Sequence, residues 1–202
     1  MRKPPDLFEL RLDRFANRLA EVRAAIPNLA APMIITARHP DEGGAHNLSA
    51  VQRRALLLEF LPVARYVDVE LRSVPALRSV LERAAVNEVA AIISFHDFQT
   101  TPRPAQLDRI TARARSLGAA LLKVATRTDT QAQLDTLLDF FSRQRRASVI
   151  AMGIGQLGRA SRLELARRGS ILNYVHLGSR AAAGQLSIEQ WRRFAGRADA
   201  AS

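Results

Sequence analysis

Two side chains stand out because their types and surroundings fit one kind of chemistry. Lys123 lies inside the apolar run Ala119-Ala-Leu-Leu-Lys-Val-Ala125, and His96 follows the apolar run Val89-Ala-Ala-Ile-Ile-Ser-Phe95. Of the 30 Lys and Arg residues only Lys3 and Lys123 are lysines. An ammonium in an apolar strand is costly. Arginine cannot replace lysine where a free amine must lose its proton and attack a carbonyl. A lysine kept there, in a chain that otherwise uses arginine, points to imine chemistry; the bland alternative is a lysine that snorkels to the strand end. Histidine titrates near neutrality, so it can take a proton and return it, although a lone histidine is as readily a hydrogen-bonded core residue. The sequence is read as placing His96 and Lys123 over one pocket, as proton shuttle and imine-forming amine.

The elements that must position them follow from apolar periodicity and turn residues. Strands are expected at 7–13, 32–38, 66–71, 89–95, 119–125, 148–154 and 171–177. In the first, Glu9, Arg11 and Asp13 share one face and Leu10 and Leu12 the other. Helices are expected at 14–26, from Ser49 to about 61, from Ser73 and Pro75, at 104–117, at 130–143, at 159–168 and from Ser187 to a polar tail at 197–202. Ser49-Ala-Val-Gln52, Thr130-Gln-Ala-Gln133 and Ser187-Ile-Glu-Gln190 are capping-box patterns. Gly118 and Gly169 are expected helix stops. Seven strand–helix units in alternation imply a parallel sheet with helical crossovers. Polar residues close nearly every strand: Glu9 and Arg11, Arg38, Glu70 and Arg72, His96, Lys123 and Arg127, Met152 and Gly153, and Ser179. A ring of such contributions favours a TIM-type (β/α) barrel over an open doubly wound sheet. No linker or composition break divides residues 1–202, so one domain is expected.

With 48% hydrophobic residues the chain can build a core, and without cysteine it has neither disulfides nor thiolate metal sites. It has no bilayer-length apolar run and no signal-peptide pattern, which fits the cytoplasm. The formal charge of +11 raises the question of nucleic acid. The arginines are scattered over every helical segment, however, with short clusters such as Arg143, Arg145 and Arg146. Little aromatic interleaving is present for base stacking. Neither a nucleic-acid nor a membrane partner is expected. Gly153-Ile-Gly-Gln-Leu-Gly158 has the spacing of a dinucleotide fingerprint, between a strand and a helix. The next strand ends without an acidic residue to hold a ribose, so the glycines are read as allowing close backbone approach to a substrate.

Seven motifs in register resemble type I 3-dehydroquinate dehydratase: Glu9-Leu-Arg-Leu-Asp13, Thr36-Ala-Arg-His-Pro-Asp-Glu-Gly-Gly44, Asp68-Val-Glu-Leu71, Ser94-Phe-His-Asp-Phe-Gln-Thr-Thr-Pro102, Leu122-Lys-Val-Ala125, Ala160-Ser-Arg162 and Gly184-Gln-Leu-Ser-Ile188. The resemblance runs along nearly the whole chain. It implies a β/α barrel that converts 3-dehydroquinate to 3-dehydroshikimate and water in the shikimate pathway, through a lysine imine, without metal or cofactor. It also implies roles. Lys123 would form the imine, His96 would move the proton, and Glu42 would orient His96. Glu9, Arg11 and Arg38 would hold substrate hydroxyls and Arg162 the carboxylate. Met152 would pack on the ring, and Gln185 belongs to a closing loop.

Three departures accompany the resemblance. Family members begin with a further strand and helix, so this chain is expected to carry seven of the usual eight βα units. The resulting gap would stay open, be filled by a partner chain, or be absent from a natural protein that starts further upstream. Besides the substrate, the partner expected is a second copy in a homodimer. In Arg180-Ala-Ala-Ala-Gly-Gln185 the family's serine is replaced by Ala181, and the second methionine of its strand pattern is Ile154 here. These two changes would weaken substrate binding by about 1–2 kcal/mol. The alternative function is a catalytically impaired relative that binds a ligand or partner.

Overall fold

The computed structural model describes residues 3–144, 149–178 and 182–199, the last three without side chains. Arg145, Arg146, Ser148, Ser179, Arg180, Ala181 and the end of the tail at 200–202 lie outside the described residues. In chain order the main elements are β1 (Phe8–Arg11), α1 (Leu19–Ala25), β2 (Met33–Thr36), α2 (Ala50–Phe60), β3 (Tyr66–Glu70), α3 (Arg78–Val86), β4 (Ala90–Asp97), α4 (Pro104–Ser116), β5 (Leu121–Arg127), α5 (Gln131–Arg143), β6 (Val149–Ile154), α6 (Gly158–Arg167) and α7 (Ile188–Asp199). They fall into two compact units, Met1–Phe95 with Ala112–Leu122, and His96–Thr111 with Lys123–Ser202. None of the described helices is long and apolar enough to cross a membrane.

In the first unit β1, β2, β3 and β4 pair in order and in parallel. Ala120, just before β5, donates to Ala91 O of β4 at 3.0 Å. Parallel strands covered on both faces read as continuous apolar runs, which explains the burial of Ile34, Ile35, Val67, Val69, Ile92 and Ile93. The register sets Arg11 beside Thr36, Thr36 beside Asp68 and Glu70 beside Ser94. Paired residues point to the same face, so this register collects the polar residues of four strands on one side.

Arg38, just past β2, sits among them and is 3% exposed. Its guanidinium donates from Nη1 to Asp68 Oδ1 (3.0 Å), Glu70 Oε1 (3.1 Å) and Ser94 Oγ (2.8 Å), and from Nη2 to Asp68 Oδ2 (3.0 Å). Glu9 Oε1 lies 3.7 Å from Nη2. Burial disfavours the charge, but Asp68, Glu70 and Glu9 outweigh it and hold the guanidinium pKa above its ordinary value. Behind it, Arg53 Nη1 of α2 donates to Glu70 Oε2 and to Ser73 Oγ, both at 3.0 Å.

In the second unit β5 is followed by β6. Thr128 N donates to Ile154 O at 2.7 Å, and α5 and α6 pack on β6. Leu137, Phe140, Ile150 and Leu165 form its apolar centre, each fully buried.

All three expected capping boxes form. Ser49 with Gln52 and Thr130 with Gln133 exchange reciprocal bonds. Ser187 N donates to Gln190 Oε1 (2.9 Å) and Gln190 N to Ser187 Oγ (3.2 Å). Element boundaries differ where a backbone or hydroxyl group finds another partner. The first strand ends at Arg11 because Asp13 turns its carboxylate to the amides of Arg38 and Ala45, and residues 12–15 become a 3-10 turn. Helix α3 starts at Arg78, not at Ser73, whose hydroxyl is bonded to Arg53. Ala119 N closes onto Ala114 O at the end of α4, so β5 runs from Leu121 to Arg127. Strand β4 extends to Asp97 and carries His96 within it.

The seventh strand, expected at 171–177, does not form, and among the described residues six strands are present. Only His176 makes a bridge, to Ser187. The Tyr174 carbonyl instead accepts from Arg162, and the Ser170 carbonyl from Asn173 Nδ2, so side chains satisfy backbone groups that a ladder would otherwise use.

Replacing Arg38 by methionine leaves Asp68 buried without its counter-charge and Glu70 with Arg53 alone. The expected loss of stability is about 3–5 kcal/mol, measured by urea denaturation. A loss under ~1 kcal/mol would show that the network does not hold the strand ends.

Candidate functional site

In the first unit the strand ends carry Glu9 and Arg11 on β1, and Arg38 and Glu42 on the segment after β2. Thr36 Oγ1 donates to Glu9 Oε1 at 3.1 Å, which fixes that carboxylate beside the Arg38 network. Arg11 makes a two-point pair with Asp13, from Nε to Oδ1 (2.9 Å) and from Nη2 to Oδ2 (2.7 Å), and also donates to Gly43 O (3.0 Å). Burial pushes the Glu42 carboxyl pKa up to about 7, reinforced by the charges of Glu70 and Asp68 and opposed by Arg38 and Arg72. A carboxyl in this range can hold or give up a proton near neutral pH.

In the second unit His96 is half-buried at the end of β4, and its ring stacks on Phe98 with centroids 6.2 Å apart. Asp97 Oδ1 accepts from the amides of Gln99 (2.9 Å) and Thr100 (3.0 Å), so this oxygen caps the turn after β4. Thr101 then anchors that loop by donating to Arg127 O at 2.7 Å.

Lys123 is 4% exposed on β5, and its Nζ lies 4.0 Å from the centre of the Tyr174 ring. An ammonium at that distance over an aromatic face is attracted by the ring's quadrupole. Tyr174 also lines a cleft with Met152 of β6, Arg162 of α6, Leu172, Leu186 and Trp191. Arg162 is 6% exposed; Nη1 donates to Tyr174 O at 3.3 Å, and Nε is buried without a hydrogen bond. Among the described residues no carboxylate pairs with it, and burial alone lowers its pKa to about 10. A buried guanidinium with spare donors is suited to an incoming carboxylate.

Gln185 follows Gly184, whose φ of 83° only glycine adopts cheaply. A Cβ at Gly184 would lie 2.7 Å from the backbone of Gly158 and Arg159, so the loop is pressed on the start of α6. The glycines of the fingerprint-like stretch have intrachain reasons too. A Cβ at Gly153 would meet Ser161 Oγ at 2.4 Å, and one at Gly155 would meet Asp129 Oδ1 at 2.1 Å. Among the described residues no three His, Asp or Glu side chains cluster as a metal site requires.

The structure therefore groups Glu9, Arg11, Arg38 and Glu42 within the first unit. It places His96, Lys123, Met152, Arg162 and Gln185 within the second. Sequence reasoning gave no role to Tyr174 or Arg53, named Asp68 only as part of a motif, and named Glu70 as a strand-end residue without a partner. Their signal was available in part: Asp68 and Glu70 alternate with valines in β3, which places two charges on one buried face. Nothing in the spacing marks Tyr174, which meets Lys123 across 51 residues of chain.

A family model for type I 3-dehydroquinase matches residues 1–196. A 3-dehydroquinate dehydratase of Methanothermobacter thermautotrophicus is 32% identical over 192 residues, spanning 95% of this chain and 84% of the relative. One of Thermodesulfovibrio yellowstonii is 30% identical over 192 residues, spanning 93% and 83%. Among solved structures, 3-dehydroquinate dehydratase from Geobacillus kaustophilus superposes with a TM-score of 0.89 at 28% identity, covering 100% of this chain and 83% of that one. Type I 3-dehydroquinate dehydratase from Clostridium difficile, solved with covalent modified comenic acid, gives 0.88 at 27%, covering 100% and 85%. By sequence along its length and by its TIM-type α/β fold, the chain belongs to the type I 3-dehydroquinase family, whose members are lyases.

Proposed function

We propose that this protein dehydrates 3-dehydroquinate to 3-dehydroshikimate and water through an imine on Lys123, with His96 moving the proton. The observation that carries the reading is Lys123 itself, a primary amine buried in an apolar strand. The neutral amine adds to the substrate ketone, and the carbinolamine hydroxyl takes up a proton from solvent and leaves as water, giving an iminium; the closing hydrolysis returns that proton. The iminium draws electrons from the adjacent carbon, so His96 can remove its proton and leave an enamine. The enamine expels the β-hydroxyl, which takes the proton back from His96 and departs as water. Hydrolysis of the imine then frees the product and the lysine. The sequence is redox-neutral and calls for no cofactor.

Arg162 is the proposed partner of the substrate carboxylate, supported by its burial and its unbonded Nε. Met152 and Tyr174 supply the apolar wall of the same cleft, and Gln185 the proposed loop contact. Glu9, Arg11 and Arg38 are proposed for the hydroxyls, and Glu42 as the carboxylate that serves the histidine. The raised pKa of Glu42 supports a group that exchanges protons near neutrality.

Borohydride reduction with substrate present is expected to fix one adduct per chain on Lys123, read by peptide mass spectrometry. Lys3 serves as the internal control. An adduct that persists in Lys123→Ala, or none in the unaltered protein, would refute the imine. His96→Ala is expected to lose about 10²–10⁴-fold in kcat while the imine is still trapped. Undiminished turnover in that variant would remove histidine from the mechanism.

Glu42 also sets a pH signature. Its folded pKa of about 7 lies above the ordinary 4.5, so the folded state binds this proton more tightly than the unfolded state does. The stability it contributes is full below pH 4.5 and is lost as pH rises through 7. Relative to Glu42→Gln, the unaltered protein should lose up to ~3 kcal/mol across that window in denaturation at stepped pH. Parallel pH–stability curves for the two proteins would contradict a buried, high-pKa Glu42.

A further inference from the structure

We propose that Asp13 is a positioning residue: its single buried carboxylate clamps both ends of the 38–45 turn and so fixes Glu42 within it. Asp13 is fully buried. Oδ1 accepts from the amide of Arg38 at 3.1 Å, and Oδ2 from the amide of Ala45 at 3.0 Å. The carboxylate thus bonds the first and last residues of the segment that carries Glu42. Arg11 pairs with both oxygens and also donates to Gly43 O inside the turn, so the clamp reaches a third point of the same segment.

The turn has little room to settle differently. A Cβ at Gly44 would lie 2.2 Å from Arg38 O and 2.8 Å from His39 O, so the two arms of the turn are packed backbone to backbone. Glu42 N and Gly44 N both donate to His39 O, at 2.9 and 3.0 Å, and His39 N donates to Glu70 Oε1 at 3.0 Å. Arg11 holds Asp13 ionised: burial opposes the charge, but the bonds from Arg11 and the two amides bring the carboxyl pKa below its ordinary value. Neutral asparagine keeps one acceptor oxygen and presents an NH₂ to the other amide, so Asp13→Asn opens one end of the clamp with almost no change of shape.

The inference rests on the reading of Glu42 as a working group of the dehydration, and the readouts separate the two. In the unaltered protein the amides of Arg38 and Ala45 should be protected from hydrogen exchange; exchange at the rate of an open loop would overturn the clamp without any variant. The Glu42 carboxyl, followed by ¹³C NMR, faces Glu70, Asp68, Arg38 and Arg72. In Asp13→Asn its titration should move down by about one pH unit or more as the loosened turn admits water. An unmoved titration would overturn the positioning role whether or not the protein turns over substrate. Where turnover is present, Asp13→Asn should lower kcat roughly 10- to 100-fold with KM within about threefold. It should add almost nothing to the loss already caused by Glu42→Gln. Losses that multiply in the double variant, or a lower melting point with unchanged kcat, would show a role independent of Glu42. Absence of turnover with protected amides and a shifted titration would count against the dehydration and leave the clamp standing.

Discussion

The first unit is organised by the need to neutralise one buried guanidinium. Arg38 can lie almost out of water because Asp68 grips it with two oxygens while Glu70, Ser94 and Glu9 complete its surroundings. Its partners come from β1, β3 and β4, so satisfying one cation fixes the carboxyl ends of these strands relative to one another. A buried ion pair of this kind adds little net stability against an apolar replacement, but losing one partner is costly. Its consequence is definition of geometry, and Arg53 extends it by neutralising the far oxygen of Glu70. Burial, reinforced by this concentrated negative charge, also explains Glu42. A further carboxylate near Glu70 and Asp68, out of water, is held towards its protonated form.

The second unit handles buried cations differently. Lys123 has an aromatic face at 4.0 Å, and Arg162 a backbone carbonyl at 3.3 Å with no carboxylate among the described residues. Fully compensated charges make a scaffold, as in the first unit. A cation met by a carbonyl dipole, as Arg162 is, is held in place yet still gains when an anion arrives. This contrast accords with the proposed carboxylate-binding role of Arg162, and with a structural share in the work of Arg38.

Much of the local structure was legible because it depends on near neighbours. The three capping boxes form where serine or threonine stands three residues before glutamine, since both partners lie within one helical turn. The six strands that form fall within the apolar runs or one to two residues beyond them. Three of the errors share one cause, a polar group whose partner is distant in sequence. Asp13 ends β1 by bonding Arg38 and Ala45, the Ser73 hydroxyl accepts from Arg53, and the Tyr174 carbonyl accepts from Arg162 where a seventh strand was expected. The fingerprint-like glycines are crowded by Ser161, Asp129 and the loop before Gln185, neighbours that their spacing does not reveal.

The amino-acid sequence alone determined the alternation of strands and helices, the family likeness carried by seven motifs, and the singular status of Lys123 in an arginine-rich chain. Each follows from periodicity or residue type, which are properties of short stretches. Only the tertiary structure decided which charges meet. It set Asp68 and Glu70 around Arg38, placed the Tyr174 ring under Lys123, left Arg162 without a carboxylate among the described residues, and made Asp13 the bond between two ends of a turn. The physical reason is that strand register and packing bring together groups tens of residues apart. Burial then turns those encounters into large electrostatic effects that no local pattern encodes.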